Sequence, residues 1–264
     1  MSKKLGLALG SGGARGIAHI GFLQALEENG VKPDFVTGCS MGAIVGACYC
    51  AGLSPKTIEE QAYKLRVSRI ATLNVAPIHA NGLFQLTKSR KLMAEIIGEK
   101  TFDELEIPFL CVATDLINGK TVHFHKGSVI DAALASSAIP GVFTPVEIDG
   151  LKYVDGGVLE RVPTKPLKEM GAEVIVAIDV LGDLTVKKTS NTLIDTVLRC
   201  IDIMDTAQTK RKKTSRMRSV DLWIEPDLGA MDQYKVKKSQ MLIAYRKGYE
   251  AGMENIGKIK ALVK

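Results

Sequence analysis

Phe-Val-Thr-Gly-Cys-Ser-Met-Gly-Ala, residues 35–43, is the stretch of sequence that decides the fold. It places a Gly-x-Ser-x-Gly motif between an apolar extended run and an apolar run of helical length that ends near residue 51. Because only glycine leaves room around a serine at a sharp strand-to-helix turn, this context is typical of a nucleophile elbow. The hydroxyl of Ser40 would then project above the sheet, at the positive end of the following helix. The motif predicts a catalytic serine, and a plain Gly/Ser turn is the alternative.

Outward from this motif, runs of strand length alternate with runs of helical periodicity along the whole chain. The predicted strands are 5–9, 34–37, 109–114, 120–125, 151–154, 174–178 and 222–224, and the predicted helices are 14–28, 43–51, 91–97, 128–138, 192–217 and 241–262, with another beginning at 55. The stretch 68–91 shows no regular pattern. The alternation predicts an α/β fold with a mainly parallel central sheet, in one domain covering residues 1–264.

Composition and the N-terminus narrow the class of protein. The 264 residues are 46% hydrophobic and 5% aromatic, which is enough for a large aliphatic core. The net charge of +6 is compatible with an anionic surface or an anionic substrate. Lys3 and Lys4 precede an apolar run, but glycine interrupts that run at once and no small-residue cleavage site follows. We therefore predict no signal peptide.

The charge-free stretch 35–55 is long enough to suggest a membrane-spanning helix. Gly38, Ser40 and Gly52 divide it, so we expect a strand, a turn and a short helix there instead.

Cysteine usage points to a reducing compartment. Four of the five cysteines lie in apolar runs and Cys200 lies in an amphipathic one, so we expect buried thiols and a cytoplasmic location. Cys48 and Cys50 have no second Cys or His cluster beside them, so a zinc site is not predicted.

Gly-Ser-Gly-Gly-Ala-Arg-Gly, residues 10–16, joins the first predicted strand to the first predicted helix. Successive N–H groups at a helix start form a cradle for an anion, and this loop can lie at the same sheet edge as the elbow. A dinucleotide-binding loop would instead want glycine where Arg15 stands and an acidic residue where the elbow stands. The loop is therefore a candidate oxyanion site.

A serine nucleophile needs a base, and the histidines are poorly placed for that role. His19 falls off the apolar face of the first helix and is predicted to lie on the surface. His79 lies in the irregular stretch, and His123 and His125 share one face of a predicted edge strand, as a surface pair would. In an α/β-hydrolase triad the histidine comes last in the chain, after the acid, and no histidine follows residue 125, so that order cannot be built downstream of Asp155 or Asp179.

A carboxylate can take the place of the histidine. Asp155 ends an apolar strand and precedes two glycines, which allow a tight turn and leave its side chain accessible. Asp115 and Asp179 also end strands and are rivals, because ligands gather at that edge of an α/β sheet. Each of the three could instead be a turn or helix-capping residue.

Four motifs occur in the order found in one enzyme family: Gly-Ser-Gly-Gly-Ala-Arg-Gly (10–16), Gly-Cys-Ser-Met-Gly (38–42), Ser-Ser-Ala-Ile-Pro-Gly-Val-Phe (136–143) and Asp-Gly-Gly (155–157). In these motifs the chain resembles the bacterial patatin-like phospholipases. The resemblance runs from about residue 5 to about 225, with a C-terminal helix at about 240–264 beyond it. It implies a three-layer, patatin-like α/β fold and a lipid acyl hydrolase that uses a serine–aspartate dyad without histidine.

The resemblance also implies a role for individual residues. Ser40 matches the nucleophile, Asp155 matches the proton acceptor, and Gly12, Gly13 and Arg15 match the oxyanion loop. The family's loop often has glycine at the position after Gly10, where this chain has serine, but backbone donors do not need that glycine. We expect no cofactor and no metal, because no carboxylate cluster suits calcium.

The expected function is hydrolysis of a lipid acyl ester through an acyl-enzyme. A thioesterase or esterase acting on soluble acyl substrates is one alternative, and a non-catalytic regulatory or adaptor protein of the same fold is another. The basic run 210–213, with Arg216 and Arg218, is either a solvated helix end or a contact with anionic lipid headgroups at the inner membrane face. Nucleic acid is not an expected partner, since no aromatic residues interleave with these charges.

Overall fold

A computed structural model describes residues 2–64, 72–73, 82–183, 192–216, 219–234 and 237–264, without the side chains of residues 72, 73, 212, 215 and 216. The strands within this part are β1 (Leu5–Leu9), β2 (Phe35–Cys39), β3 (Thr72–Leu73), β4 (Gly82–Gln85), β5 (Phe109–Asp115), β6 (Lys120–Phe124), β7 (Gly141–Phe143), β8 (Val146–Ile148), β9 (Leu151–Asp155), β10 (Val174–Ile178) and β11 (Leu222–Ile224). The α-helices are α1 (Ile17–Glu28), α2 (Met41–Cys50), α3 (Pro55–Lys64), α4 (Thr87–Ile97), α5 (Val129–Ser136), α6 (Lys165–Met170), α7 (Leu193–Arg216) and α8 (Lys238–Leu262).

The central sheet has the strand order β11-β10-β1-β2-β5-β9-β8. The first five of these strands run parallel to one another. Strand β9 pairs antiparallel with β5, and β8 pairs antiparallel with β9. Strand β6 forms a further antiparallel pair with β5. Parallel neighbours need crossover connections, which the helices between them supply. The prediction of an α/β fold with a mainly parallel sheet is thereby confirmed. A second, small sheet of β3, β4 and β7 lies apart from it.

The sheet is covered on both faces because side chains of a strand alternate between them. Leu5, Leu7 and Leu9 of β1 join the main core cluster, which includes α1 and α2. Ala8 of the same strand joins a separate cluster with Leu167 of α6. Neighbouring β10 divides in the same way, so the molecule has three layers: helices, sheet, helices.

Helix α8 belongs to the helical layer beside α1. Gly21 of α1 faces α8 so closely that a Cβ there would lie 2.8 Å from the backbone nitrogen of Tyr249. A Cβ on Gly248 would in turn lie 2.8 Å from the Cα of Ala18. Glycine on both helices lets the two backbones touch, which buries α1 on nearly every side.

Most predicted elements are present, with shifted ends. The stretch 35–55 forms β2, a turn and α2, and no described helix is both long enough and apolar enough to cross a bilayer. The irregular stretch 68–91 includes β3, β4 and the start of α4, while His79 lies outside the described residues. Cys39, Cys48, Cys50 and Cys111 are buried as expected. The expectation is wrong for Cys200, which is exposed because it lies on the outer face of α7.

Candidate active site

Ser40 stands at the junction of β2 and α2 with φ 52° and ψ −122°. This backbone conformation is rare for a residue other than glycine and marks a strained turn. The turn is tightly enclosed on both flanks. A Cβ on Gly38 would lie 2.6 Å from the carbonyl oxygen of Gly42, and a Cβ on Gly42 would lie 2.6 Å from that of Gly10. The glycines of the Gly-x-Ser-x-Gly motif are therefore needed for the turn to close.

The structure brings Ser40 and Asp155 together. The Ser40 Oγ donates a hydrogen bond of 2.7 Å to Oδ2 of Asp155. Strand pairing sets this distance, because Cys39 of β2 pairs with Val112 of β5, and Ala113 of β5 pairs with Asp155 of β9. Residues 115 positions apart in the chain thus meet across one intervening strand.

Burial changes the acid–base properties of Asp155. Its side chain lies in the interior, with the residue only 6% exposed, and this raises the pKa of Asp155 to about 6. Hydrogen bonds from the Ser40 hydroxyl and from the Gly157 N–H (2.8 Å) oppose the shift by stabilising the carboxylate. The expectation of an accessible side chain is wrong here, because Asp155 is buried and the turn that follows it lies against Ser11 of the 10–16 loop. The carboxylate is ionised at neutral pH, and it is a stronger base than a solvated aspartate.

Ser136 has a role that the sequence analysis did not assign. This fully buried side chain at the end of α5 accepts a hydrogen bond of 2.9 Å from the N–H of Ser40. Two residues later, the carbonyl of Ala138 accepts the N–H of Asp155 at 2.9 Å. The end of α5 therefore supports both members of the pair. Its only signal in the sequence was the Ser-Ser-Ala start of the 136–143 motif.

The 10–16 loop lies against both the turn after Asp155 and the start of α2 after Ser40. A Cβ on Gly157 would be 3.4 Å from the Ser11 hydroxyl, and a Cβ on Gly16 would be 2.5 Å from the Cβ of Met41. Among the described residues, the N–H groups of Gly12 and Gly13 have no hydrogen-bond acceptor. The N–H of Met41, the first of α2, has none there either. Unpaired donors beside a serine can bind a developing oxyanion.

Arg15 has other partners in this structure. Its guanidinium donates to the carbonyls of Met231 (2.8 Å), Leu181 (3.0 Å) and Gly229 (2.7 Å). Its N–H donates to the carbonyl of Gly12 at 3.0 Å. Arg15 thus fastens the loop to two later segments of the chain. Its assignment as an oxyanion donor stays a prediction.

His19 is fully buried, so the prediction of a surface histidine is wrong. The 3.6-residue pattern placed it on the polar side of α1, but the tertiary structure covers that side as well. Its Nε2 lies 2.8 Å from the carbonyl oxygen of Gly10, and since a carbonyl only accepts, the ring nitrogen donates. Burial lowers the pKa of His19 to about 4, so the ring is neutral and holds the start of the 10–16 loop.

The remaining candidate residues lie away from the pair. His123 contacts Glu160 at 2.8 Å, and His125 contacts the backbone of His123. Asp115 accepts three hydrogen bonds in the β5–β6 turn, and Asp179 is buried in an ion pair of 2.7 Å with the guanidinium of an arginine. No histidine in the described part of the chain hydrogen-bonds to either member of the serine–aspartate pair. The same part holds no cluster of three or more residues suited to a metal ion.

Comparison with known proteins identifies the relatives of this site. The sequence model of the patatin-like phospholipase family matches residues 7–168, a range that contains the elbow, the loop and the Asp-Gly-Gly turn. The chain belongs to the patatin-like phospholipase family. Within that family it is 40% identical over 181 residues to an uncharacterised NTE family protein of Mycobacterium tuberculosis, which covers 69% of this chain and 50% of the relative.

A human protein, patatin-like phospholipase domain-containing protein 6, is 32% identical over 182 residues, covering 67% of this chain and 13% of its own length. The chain therefore spans about half the length, or less, of these relatives. The crystal structure of VipD from Legionella pneumophila superposes with a TM-score of 0.57 at 14% identity, covering 97% of this chain and 67% of VipD. This likeness confirms the patatin-like fold.

Ser136→Ala tests the support of the elbow. Loss of the hydroxyl leaves the buried Ser40 N–H without an acceptor, which costs about 1–3 kcal/mol and loosens the strained turn. We expect kcat for a short acyl ester to fall roughly tenfold or more. Ser137→Ala is the matched control, because that hydroxyl bonds only to the carbonyl of Ala133 within its own helix. Equal rates for the two variants would contradict the assigned role.

His19→Gln tests the buried neutral imidazole by urea unfolding at pH 7 and pH 5. The pKa is about 4 in the folded protein and 6.5 in the unfolded chain, so the unfolded chain binds the extra proton as the pH falls between these values. Acid therefore destabilises the wild type through this residue by about 2 kcal/mol at pH 5. Glutamine keeps a donor near Gly10 but does not titrate. The stability of the variant relative to wild type should therefore improve by that amount from pH 7 to pH 5. A difference that is the same at both pH values would contradict the burial argument.

Proposed function

We propose that this protein hydrolyses acyl esters of lipids through an acyl-enzyme, with Ser40 as nucleophile and Asp155 as the base. The observation that carries the proposal is the 2.7 Å hydrogen bond from the Ser40 Oγ to the Asp155 Oδ2, at a strained elbow inside a patatin-like fold. Lipid is the proposed substrate class because the family is one of phospholipases.

In the first step, the Ser40 Oγ attacks the acyl carbonyl while Asp155 accepts the proton. The buried hydrogen bond to Asp155 already orients the attacking Oγ, so the reaction loses little further conformational entropy at this atom. A pKa of about 6 for Asp155 is close enough to neutral pH for a general base to be both deprotonated and effective. The carbonyl oxygen becomes negatively charged as the tetrahedral intermediate forms.

The N–H groups of Gly12 and Gly13 are the proposed donors to that oxyanion, with the N–H of Met41 as a third. Backbone donors held in place before the reaction typically contribute about 3–4 kcal/mol each to transition-state stabilisation. The positive end of α2, at Ser40, adds to the same field. Asp155 then returns its proton to the leaving alcohol, and in the second step it activates the water that releases the acyl group.

The proposal extends to organisation and location. Residues 1–264 form one catalytic domain, with a core at about 5–225 and the C-terminal helix packed on it. The protein acts in the cytoplasm and meets lipid at an anionic membrane face. Among the basic residues of 210–213, Lys210 pairs with Asp183 at 3.0 Å and Lys213 pairs with Glu225 at 2.6 Å. These exposed pairs are weak, so both cations can exchange partners at a charged surface.

Labelling with a fluorophosphonate tests the nucleophile. The reagent should modify Ser40 and no other serine, because this hydroxyl stands at the strained elbow and is bonded to the buried carboxylate of Asp155. Mass spectrometry of the digested protein locates the label, and Ser40→Ala should abolish both labelling and hydrolysis of a p-nitrophenyl ester. Labelling of the neighbouring Cys39, which is buried, or an active Ser40→Ala variant would overturn the assignment.

Asp155→Asn tests the base. Asparagine has nearly the same shape but cannot accept the proton, so we expect kcat to drop at least a thousandfold, on the scale of lost general-base catalysis. Circular dichroism would verify that the variant stays folded. Asp115→Asn is the control, because that carboxylate serves a turn. Near-native activity of Asp155→Asn would show that the wrong carboxylate had been chosen.

The pH dependence of kcat/KM gives an independent test of the same group. The base acts when deprotonated, and the pKa of Asp155 is about 6 in the free protein, so kcat/KM should fall tenfold per pH unit below about 6 and level off above it. Stopped assays with a neutral ester avoid titration of the substrate. A profile in which kcat/KM begins to fall only near pH 4 would mean that the active carboxylate is solvated.

A further inference from the structure

The outer face of α7 carries an exposed apolar stripe that the catalytic proposal does not use. Leu193 is 81% exposed and Met204 is 61% exposed, which is unusual for large apolar side chains. Val197 and Ile203 are exposed as well, at 39% and 47%. At 100° per residue, positions 193, 197 and 204 fall within one sector about 40° wide, and 203 lies about 80° to one side of it.

Positively charged side chains follow the stripe toward the C-terminal end of α7. Arg211 follows Met204 by seven residues, so it lies on the same line of the helix, and exposed Lys210 lies about 100° around the helix from it, on the side of Ile203. Of the three carboxylates of α7, those at positions 195 and 202 fall on the opposite side, and Asp205 on the flank is buried. A flat anionic surface touching the outer face would therefore meet apolar side chains and cations, and no carboxylate of this helix.

Other side chains of the same helix bond to segments that adjoin the candidate active site. Gln208 donates to the carbonyl of Val158, three residues after Asp155. Asp202 accepts from the side chain of Gln233, whose carbonyl accepts the N–H of Ala14 in the oxyanion loop.

A further link runs through Arg161. Asp205 pairs with the guanidinium of Arg161 at 2.9 Å, and the backbone carbonyl of Arg161 accepts the N–H of Ser11. The outer stripe thus lies about one helix diameter, roughly 10 Å, from segments that adjoin the site.

We propose that the outer face of α7 docks on the surface of an anionic lipid bilayer, with the stripe in the headgroup–acyl boundary and Arg211 and Lys210 among the phosphates. This inference rests on the proposed function, since it names the surface on which that site meets its substrate. The pattern is that of a helix lying in the membrane plane: a narrow apolar stripe, cations at its border and low overall hydropathy. The stretch from 193 to 211 is about 27 Å long, enough for contact along the whole helix.

The test measures binding to vesicles in the Ser40→Ala background, so that no turnover disturbs the lipid. Vesicles of phosphatidylcholine alone are compared with vesicles containing phosphatidylglycerol, by flotation at low salt. The variant is Leu193→Glu/Met204→Glu, and its matched control on α8 is Leu242→Glu/Met253→Glu, where the side chains are 51% and 41% exposed. Binding to the anionic vesicles should weaken roughly tenfold or more in the α7 variant and hardly change in the control.

Charge is tested separately with Arg211→Glu. Each cation near an anionic surface contributes about 1 kcal/mol, so this reversal should weaken binding severalfold on anionic vesicles and leave the weaker binding to phosphatidylcholine unchanged. Added salt should reproduce its effect, because salt screens the attraction over a Debye length.

Equal loss in the α8 control, or unchanged binding of the α7 variant, would overturn the proposal. So would a fall in oligomer mass on light scattering for the α7 variant without any vesicle binding of the parent protein, since the stripe would then join two copies of the chain. Failure here is distinct from failure of the proposed function: with Ser40 intact, every variant should hydrolyse a soluble short-chain ester at the parent rate.

Discussion

The constraint on which the structure depends is the space around one backbone turn. Between β2 and α2 the chain reverses within a single residue of positive φ, and no side chain fits on either flank. Only this close approach lets the carbonyl of Gly10 lie against Gly42, and so brings the 10–16 loop to the elbow. The position of Ser40 relative to the rest of the site follows from it.

Strand order then determines which carboxylate the serine meets. Asp115 and Asp155 are the last residues of strands of this sheet, and Asp179 directly follows another strand. Asp155 alone among them contacts the serine, because β9 turns antiparallel and delivers its last residue beside Ala113, next to the elbow. Asp179 is instead buried against Arg161, which it shares with Asp205 of α7. Removing one partner of such a buried group would leave an uncompensated charge, so these aspartates are committed to structure.

The 10–16 loop is held by segments far along the chain. The family match ends at residue 168, yet the carbonyls that hold the Arg15 guanidinium belong to residues 181, 229 and 231. The carbonyl of Gln233 accepts the N–H of Ala14, the residue before Arg15. Residues 181, 229, 231 and 233 therefore hold the loop in place, although they add no side chain to the serine–aspartate pair. The chain between residues 181 and 229 includes α7, which links the segments adjoining the site to the molecular surface.

Local chemistry in the sequence determined the elements that have a short-range cause. The Gly-x-Ser-x-Gly turn, the continuous Val/Ile/Ala run of β10 and the periodicity of α7 each depend on residues within a few positions, so these strands, helices and the turn at Ser40 could be predicted directly. Tertiary structure alone decided what depends on distant packing. His19 is buried with its ring against the carbonyl of Gly10, Cys200 is exposed on the outer face of α7, and Ser136 meets the Ser40 N–H across 96 positions. Hydrogen bonds and burial of this kind join residues that share no local pattern, and for that reason only the folded chain shows them.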